Sequence, residues 1–149
     1  MSARALKRRL IQAQRINAVK EGRSERERRA AFLAQQEAEE RANAARERQK
    51  EADKTHAEAR SAFFEHHGDP QAEIWMIANE MRAEKAASEQ RIAAGDLSLA
   101  TDTAIEARRA HERLRERGGM IDRRVIGLGR DLARIAQDRD DEEMQEQRR

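Results

Sequence analysis

A chain of 149 residues is long enough for one ordinary domain, but 40% of it is Asp, Glu, Lys or Arg and only 3% is aromatic, too polar to close a large globular core. The absence of cysteine and the single proline remove disulfides and thiolate metal sites and leave little room for sheet turns. The net charge is only +2, no apolar stretch approaches the roughly 20 residues that span a bilayer, and Gln12, Gln14 and Arg15 interrupt any signal-like run after Arg8 and Arg9. Ala, Glu, Arg and Gln dominate, as in long helices. Disorder is the rival reading, and the hydrophobic pattern has to decide.

The first predicted element is a helix over about residues 3–66. Its opening is basic and amphipathic: Arg4, Lys7, Arg8, Arg9 and Arg15 flank Leu6, Leu10, Ile11, Ile16 and Val19, with no acid before Glu21. Such a segment reads as the first arm of a hairpin, a nucleic-acid arm, a membrane-surface helix or a transit peptide. Further on, the expected seam is Leu6, Leu10, Ala13, Ala31, Ala34, Ala38, Ala45, Ala52, Ala59 and Ala62, interrupted by Asn17, Lys20, Ser24, Glu27, Arg41 and Arg48. Alanine lets helices approach closely but buries little area, and burial scales at about 25 cal/mol per Å². The alanine-lined middle is therefore expected to be the weakest part.

The clearest punctuation is His66-His67-Gly68-Asp69-Pro70. Gly68 suits a left-handed helix end, Asp69 an N-cap and Pro70 a first helical turn. A turn at 67–70 between long helices makes antiparallel neighbours the default. The aromatic residues gather around it: Phe63, Phe64 and Trp75, followed by Ile74, Met76, Ile77 and Met81. One reading closes the turn by packing Phe63 on Ile74 or Ile77. The other notes that two helices cannot bury all of these side chains. Phe64 or Trp75 is then left exposed, with Ile74, Ile77 and Met81 beside it as partner-binding candidates.

Helix two is predicted over about 70–146. Its seam steps by three and four through Ala72, Met76, Asn79, Ala83, Ala86, Gln90, Ala93, Leu97, Ala100, Ala104, Ala107, His111, Leu114, Gly118, Ile121, Val125, Leu128, Leu132 and Ile135. A strict seven-residue repeat is the condition for a left-handed coiled coil. The class is therefore all-α, a long antiparallel two-helix hairpin, each arm roughly 100 Å long at about 1.5 Å per residue. Soft points are Gly95, where a break would give three helices, and Gly118-Gly119, where each glycine costs roughly 1 kcal/mol relative to alanine. Gly127 and Gly129 soften the same region.

Charge is sorted. Residues 1–29 carry ten basic against three acidic groups, and residues 108–137 carry nine against four. Residues 65–107 reverse this with nine acidic against three basic, and 138–149 form a short acidic tail. Blocks of one sign mark interaction surfaces or solvated faces.

Catalysis finds no foothold. Gly127-Leu128-Gly129 lacks the third glycine and the strand of a dinucleotide site, and no serine sits in a nucleophile elbow. The histidines offer no metal set, because His66 and His67 diverge by about 100° on a helix. His56 stands alone, and His111 reads as a polar mark in the seam.

In organisation the chain resembles the FliJ/YscO family, central stalk proteins of flagellar and injectisome type III secretion ATPases. Arg8-Arg9-Leu10 at the start, the turn at Gly68-Asp69-Pro70, and the stretches His111-Glu112-Arg113-Leu114-Arg115-Glu116-Arg117 and Glu142-Glu143-Met144-Gln145-Glu146 carry the resemblance. Gly118-Gly119 and Gly127 with Gly129 depart from the unbroken basic helix of that family. The resemblance implies a non-enzymatic cytoplasmic stalk without cofactor, peripheral at the inner membrane through its partners. Its basic part would insert into a hexameric secretion ATPase through Arg4, Lys7, Arg8, Arg9, Arg15, Arg123, Arg124 and Arg130. Phe64, Ile74, Trp75, Ile77 and Met81 would meet an export gate protein or escort chaperones. Two other classes fit the residues alone: a generic coiled-coil scaffold, and a basic binder of nucleic acid or anionic surfaces.

Overall fold

Two α-helices, α1 (Ala3–Glu65) and α2 (Pro70–Gln147), pack against each other in a computed structural model that describes residues 2–147, with no strand among the described residues. Arg148 and Arg149, the last residues of the acidic tail, lie outside the described residues. The fold is the all-α, two-helix hairpin that the heptads predict. Ser2 starts α1: its Oγ accepts from the Ala5 N–H at 3.3 Å, and its carbonyl accepts from Leu6 N–H at 3.0 Å.

The turn uses each residue for a separate reason. Gly68 has φ of 92°, a conformation that costs a side-chain-bearing residue about 1–2 kcal/mol. Asp69 N–H donates to His66 O at 3.0 Å, and Asp69 Oδ1 accepts from Gln71 N–H at 2.9 Å as an N-cap. Pro70 opens α2, where its missing N–H costs nothing, and Glu73 places a carboxylate in the positive first turn. Gly68→Ala is expected to lower stability by about 1 kcal/mol, read as a drop in the urea midpoint with helix content unchanged.

Packing divides the chain into two units, Arg29–Glu106 and Met1–Arg28 with Ala107–Arg149. In the first of these, the turn unit, every apolar side chain buried below a tenth of its surface is alanine: Ala38, Ala42, Ala45, Ala59, Ala72, Ala83 and Ala86. Asn79, only 1% exposed, joins them and donates its Nδ2–H to Trp75 O at 2.8 Å within α2. Arg48 pairs with Glu89 at 3.8 Å, and the Gln35 amide donates to Thr101 Oγ1 at 3.4 Å. α1 numbers rise as α2 numbers fall, so the pairing is antiparallel.

The second unit holds most of the chain's larger inward-facing aliphatics. Leu6, Leu10 and Ala13 on α1 and Leu114, Ile121, Val125, Leu128 and Leu132 on α2 are half-buried. Between them runs a polar stretch. Gln14 Nε2 donates to Asp122 Oδ1 at 2.6 Å, Asn17 Nδ2 donates to Leu114 O at 3.1 Å, and Arg115 lies 3.9 Å from Glu21. Asn17 and Ser24 are buried.

The seam on α1 differs from the sequence expectation. Lys20, Glu27, Ala34, Arg41 and Arg48 are exposed, whereas Glu21, Arg28, Gln35 and Gln49 are half-buried and Ala42 is buried. Two consecutive steps of four after Ala13, through Asn17 to Glu21, shift every second seam position by one residue. Such an extra step is a stutter. On α2 the expected seam faces inward throughout except Ile135, which is 50% exposed. From 133 to 146 every side chain is exposed, beyond the part of α2 that Ala3–Glu65 of α1 packs against.

α2 runs unbroken through Gly95, Gly118 and Gly119, so neither a three-helix chain nor a glycine break is present. At Gly118 a Cβ would stand 2.9 Å from Asn17 Nδ2, while at Gly119 it would meet only Arg123 Nη1 at 4.0 Å. The first glycine admits the buried amide of Asn17; the second leaves room for a methyl group. Gly119→Ala should therefore gain up to about 1 kcal/mol of helix propensity. Gly118→Ala should forfeit that gain by displacing a hydrogen-bonded buried amide, worth about 1–2 kcal/mol. Urea midpoints of the two variants moving in opposite directions, or only Gly119→Ala rising, is the expected result.

Candidate functional site

Helical spacing places the cations of the unit formed by Met1–Arg28 and Ala107–Arg149. Arg8 and Arg15 are seven residues apart on α1, as are Arg123 and Arg130 on α2, and each pair occupies the position farthest from its seam. Arg9 and Arg124 stand one residue further, and Arg4 on the adjoining flank. Seven of these eight predicted residues are exposed; Lys7 is half-buried. By sequence this unit carries 21 basic and 13 acidic residues.

Ion pairing separates two kinds of cation in the same unit. Arg23 pairs with Glu27 at 3.1 Å, Arg28 with Glu25 at 2.8 Å and Arg108 with Glu112 at 2.9 Å. Among the described residues, Arg4, Lys7, Arg8, Arg9, Arg15, Arg123, Arg124 and Arg130 make no ion pair within 4.0 Å. All eight cations that sequence reasoning singled out are of the second kind, which among the described residues also includes Lys20, Arg26, Arg109, Arg113, Arg117, Arg134 and Arg139. Four of the eight, Arg8, Arg15, Arg123 and Arg130, hold the outward positions of the two helices, and the others flank these, so together they form a belt.

A polar layer lies elsewhere in this unit. His111 Nε2 stands 3.1 Å from Glu25 Oε2, and the Arg28 Nε and Nη2 donate to the same carboxylate at 2.9 and 2.8 Å. That bidentate hydrogen bond, with the charge of Glu25, raises the pKa of Arg28 above its ordinary value. His111 is half-buried, its Nδ1 enclosed without a hydrogen-bond partner. The layer fixes which residues of α1 and α2 meet, the part a buried polar group takes in a coiled coil. Among the described residues no three His, Cys, Asp or Glu side chains gather to hold a metal.

The second predicted cluster lies in the turn unit. Phe64 is 64% exposed, Ile74 61%, Trp75 43%, Ile77 45% and Met81 65%. Both Phe64 and Trp75 are therefore open. Phe63, half-buried, stacks edge-on with Phe64 at 5.7 Å and with His67 at 5.9 Å, and Arg60 lies 5.8 Å from the Phe64 ring centre. Ile74 and Ile77 are thus exposed rather than buried against Phe63.

Sequence reasoning missed Ile92 and Leu99, which are 64% and 69% exposed. They extend the exposed apolar set of Ile74, Ile77 and Met81 along α2, on a flank beside the seam residues Ala93 and Ala100. The signal was present: 74, 81, 92 and 99 fall within a narrow arc at 100° per residue. The dominant inner stripe obscured it. Among the described residues no helix is long and apolar enough to cross a membrane. No family model, curated protein or solved structure matches this chain.

Proposed function

We propose that this protein is a non-enzymatic stalk of a type III protein export apparatus, flagellar or injectisome, acting in the cytoplasm. The belt of exposed cations without ion pairs on both α1 and α2 carries this reading. Cations on one face suit a flat polyanion. Cations on the outward positions of both helices suit a partner that surrounds the pair, such as the acidic lining of a hexameric ATPase ring. The organisational resemblance noted above supplies that partner.

In this reading the exposed apolar group of Phe64, Ile74, Trp75, Ile77 and Met81 meets an export gate protein or an escort chaperone, since aromatic and aliphatic side chains clustered in the open are the usual anchors of protein interfaces. The test is addition of the purified chain to the secretion ATPase of the same organism. Turnover is expected to rise with chain concentration and to fall back as salt is added. A folded chain that leaves ATPase turnover unchanged at low salt overturns the proposal.

A further inference from the structure

One side of the turn unit is a groove. Ala31, Ala34, Ala38 and Ala45 of α1 and Ala93 and Ala100 of α2 line it. Small side chains bring the two helices together and leave nothing tall between the rims. Arg41 and Arg48 form the rim on α1; Glu89 and Asp96 form the rim on α2. Ile92 and Leu99 stand on the same α2 rim, mostly exposed. One rim is basic and the other acidic, and the floor is apolar.

We propose that this groove is a self-association face, occupied by the same groove of a second copy of this chain. A two-fold axis parallel to the helices lays α1 of one copy over α2 of the other. Arg48 and Glu89 lie level within one copy at 3.8 Å, and Arg41 and Asp96 follow one heptad along. The axis therefore sets Arg48 and Arg41 of each copy against Glu89 and Asp96 of the other. Ile92 lies level with Ala45 and Leu99 with Ala38, so each aliphatic side chain enters the other copy's alanine floor. The alternative two-fold, perpendicular to the helices, stacks arginine on arginine and carboxylate on carboxylate. Charge thus selects the arrangement with both turns on the same side, as flanking charges set orientation in coiled coils.

The available area is sufficient. Two heptads from Glu89 towards the turn the same flank carries Trp75, and two heptads from Arg48 it carries Ala62. From the level of Ala31 to that of Ala62 the face is about 45 Å long and about 20 Å wide, close to the roughly 800 Å² per partner of a standard interface. None of the eight unpaired cations takes part, so the association stands apart from the stalk reading.

Sedimentation equilibrium of the full chain over a range of concentrations tests this, with helix content followed by circular dichroism. A reversible dimer is expected. Leu99→Lys should weaken it at least about tenfold, because a central apolar anchor becomes a charge. Arg41→Glu should weaken it too, and the combined Arg41→Glu and Asp96→Arg exchange should restore it. The chain has no cysteine, so His66→Cys, on an exposed turn residue, reports orientation: a short bis-maleimide should link two copies. A monomer at every concentration overturns the proposal, as does a dimer indifferent to these substitutions or one whose turns do not cross-link.

Discussion

Replacing Ala59 by aspartate should cost the turn unit about 3 kcal/mol or more, the penalty of a charge placed where neither water nor a cation reaches it. Ala59 is 0% exposed. The stripe of α2 on this side of the turn offers Ala72, Met76 and Asn79, and the Asn79 amide already donates to Trp75 O at 2.8 Å. Ala57→Asp is the matched control: it lies on the same helix two residues away and is exposed, so it should cost only about the helix-propensity difference, near 0.5 kcal/mol. Trp75 is the only tryptophan and belongs to this unit, so its fluorescence reports the local transition even where different parts of a long hairpin unfold at different denaturant concentrations. A clear fall in the urea midpoint by Trp75 emission for Ala59→Asp, against a small one for Ala57→Asp, is expected. Equal midpoints would mean that the alanine seam is not closed at this level.

The contrast between Ala57 and Ala59 is one that sequence resolves unevenly. On α2 the inner stripe contains Leu97, Leu114, Ile121, Val125, Leu128 and Leu132, large residues that alternate by three and four and tolerate only one phase. Eighteen of its nineteen predicted positions lie inward; the exception, Ile135, fails for want of a neighbour rather than of pattern. On α1 no Leu, Ile, Val or Met occurs between Leu33 and the turn. Alanines stand at 34, 38, 42, 44, 45, 52, 57, 59 and 62, so two phases one residue apart carry nearly equal apolar content. The phase set by Leu6, Leu10 and Ala13 places Arg41 and Arg48 at seam positions as interruptions. Ala42 and Gln49 occupy the seam in their place, an alanine and a neutral amide being cheaper to enclose than a guanidinium.

The site residues were legible to different depths for a related reason. Charge blocks survive any choice of phase, so the basic set was visible without knowing the seam. Its freedom from ion pairs was not, because pairing depends on which carboxylate lies three or four residues away on the same face or across the helices. Glu27 neutralises Arg23 and Glu112 neutralises Arg108, while Arg8, Arg9 and Arg15 have no acid within one helical turn in the sequence. The polar layer of Glu25, Arg28 and His111 needed the antiparallel register. Only His111 was marked beforehand, through its place in the heptad.

That freedom sets the second large effect. On the proposed stalk function, reversing Arg8, Arg15, Arg123 and Arg130 together to glutamate should reduce stimulation of a secretion ATPase at low salt by at least about a hundredfold in the chain concentration required, since each reversal would turn an attraction at an acidic lining into a repulsion. The excess of basic over acidic residues in that unit, 21 against 13, is cancelled by these four changes. Folding should scarcely notice. Glutamate matches arginine in helix propensity, the four positions are exposed, and among the described residues none of them holds an ion pair to lose. Thermal unfolding by circular dichroism should stay within a few degrees of the parent chain, which separates loss of contact from loss of structure. Reversing the already paired Arg23 and Arg108 should have a much smaller effect on stimulation, as their charge is largely neutralised by Glu27 and Glu112. A quadruple variant that stimulates as well as the parent would move the ATPase contact off this belt, and leave the exposed apolar residues near the turn as the surface to reverse next.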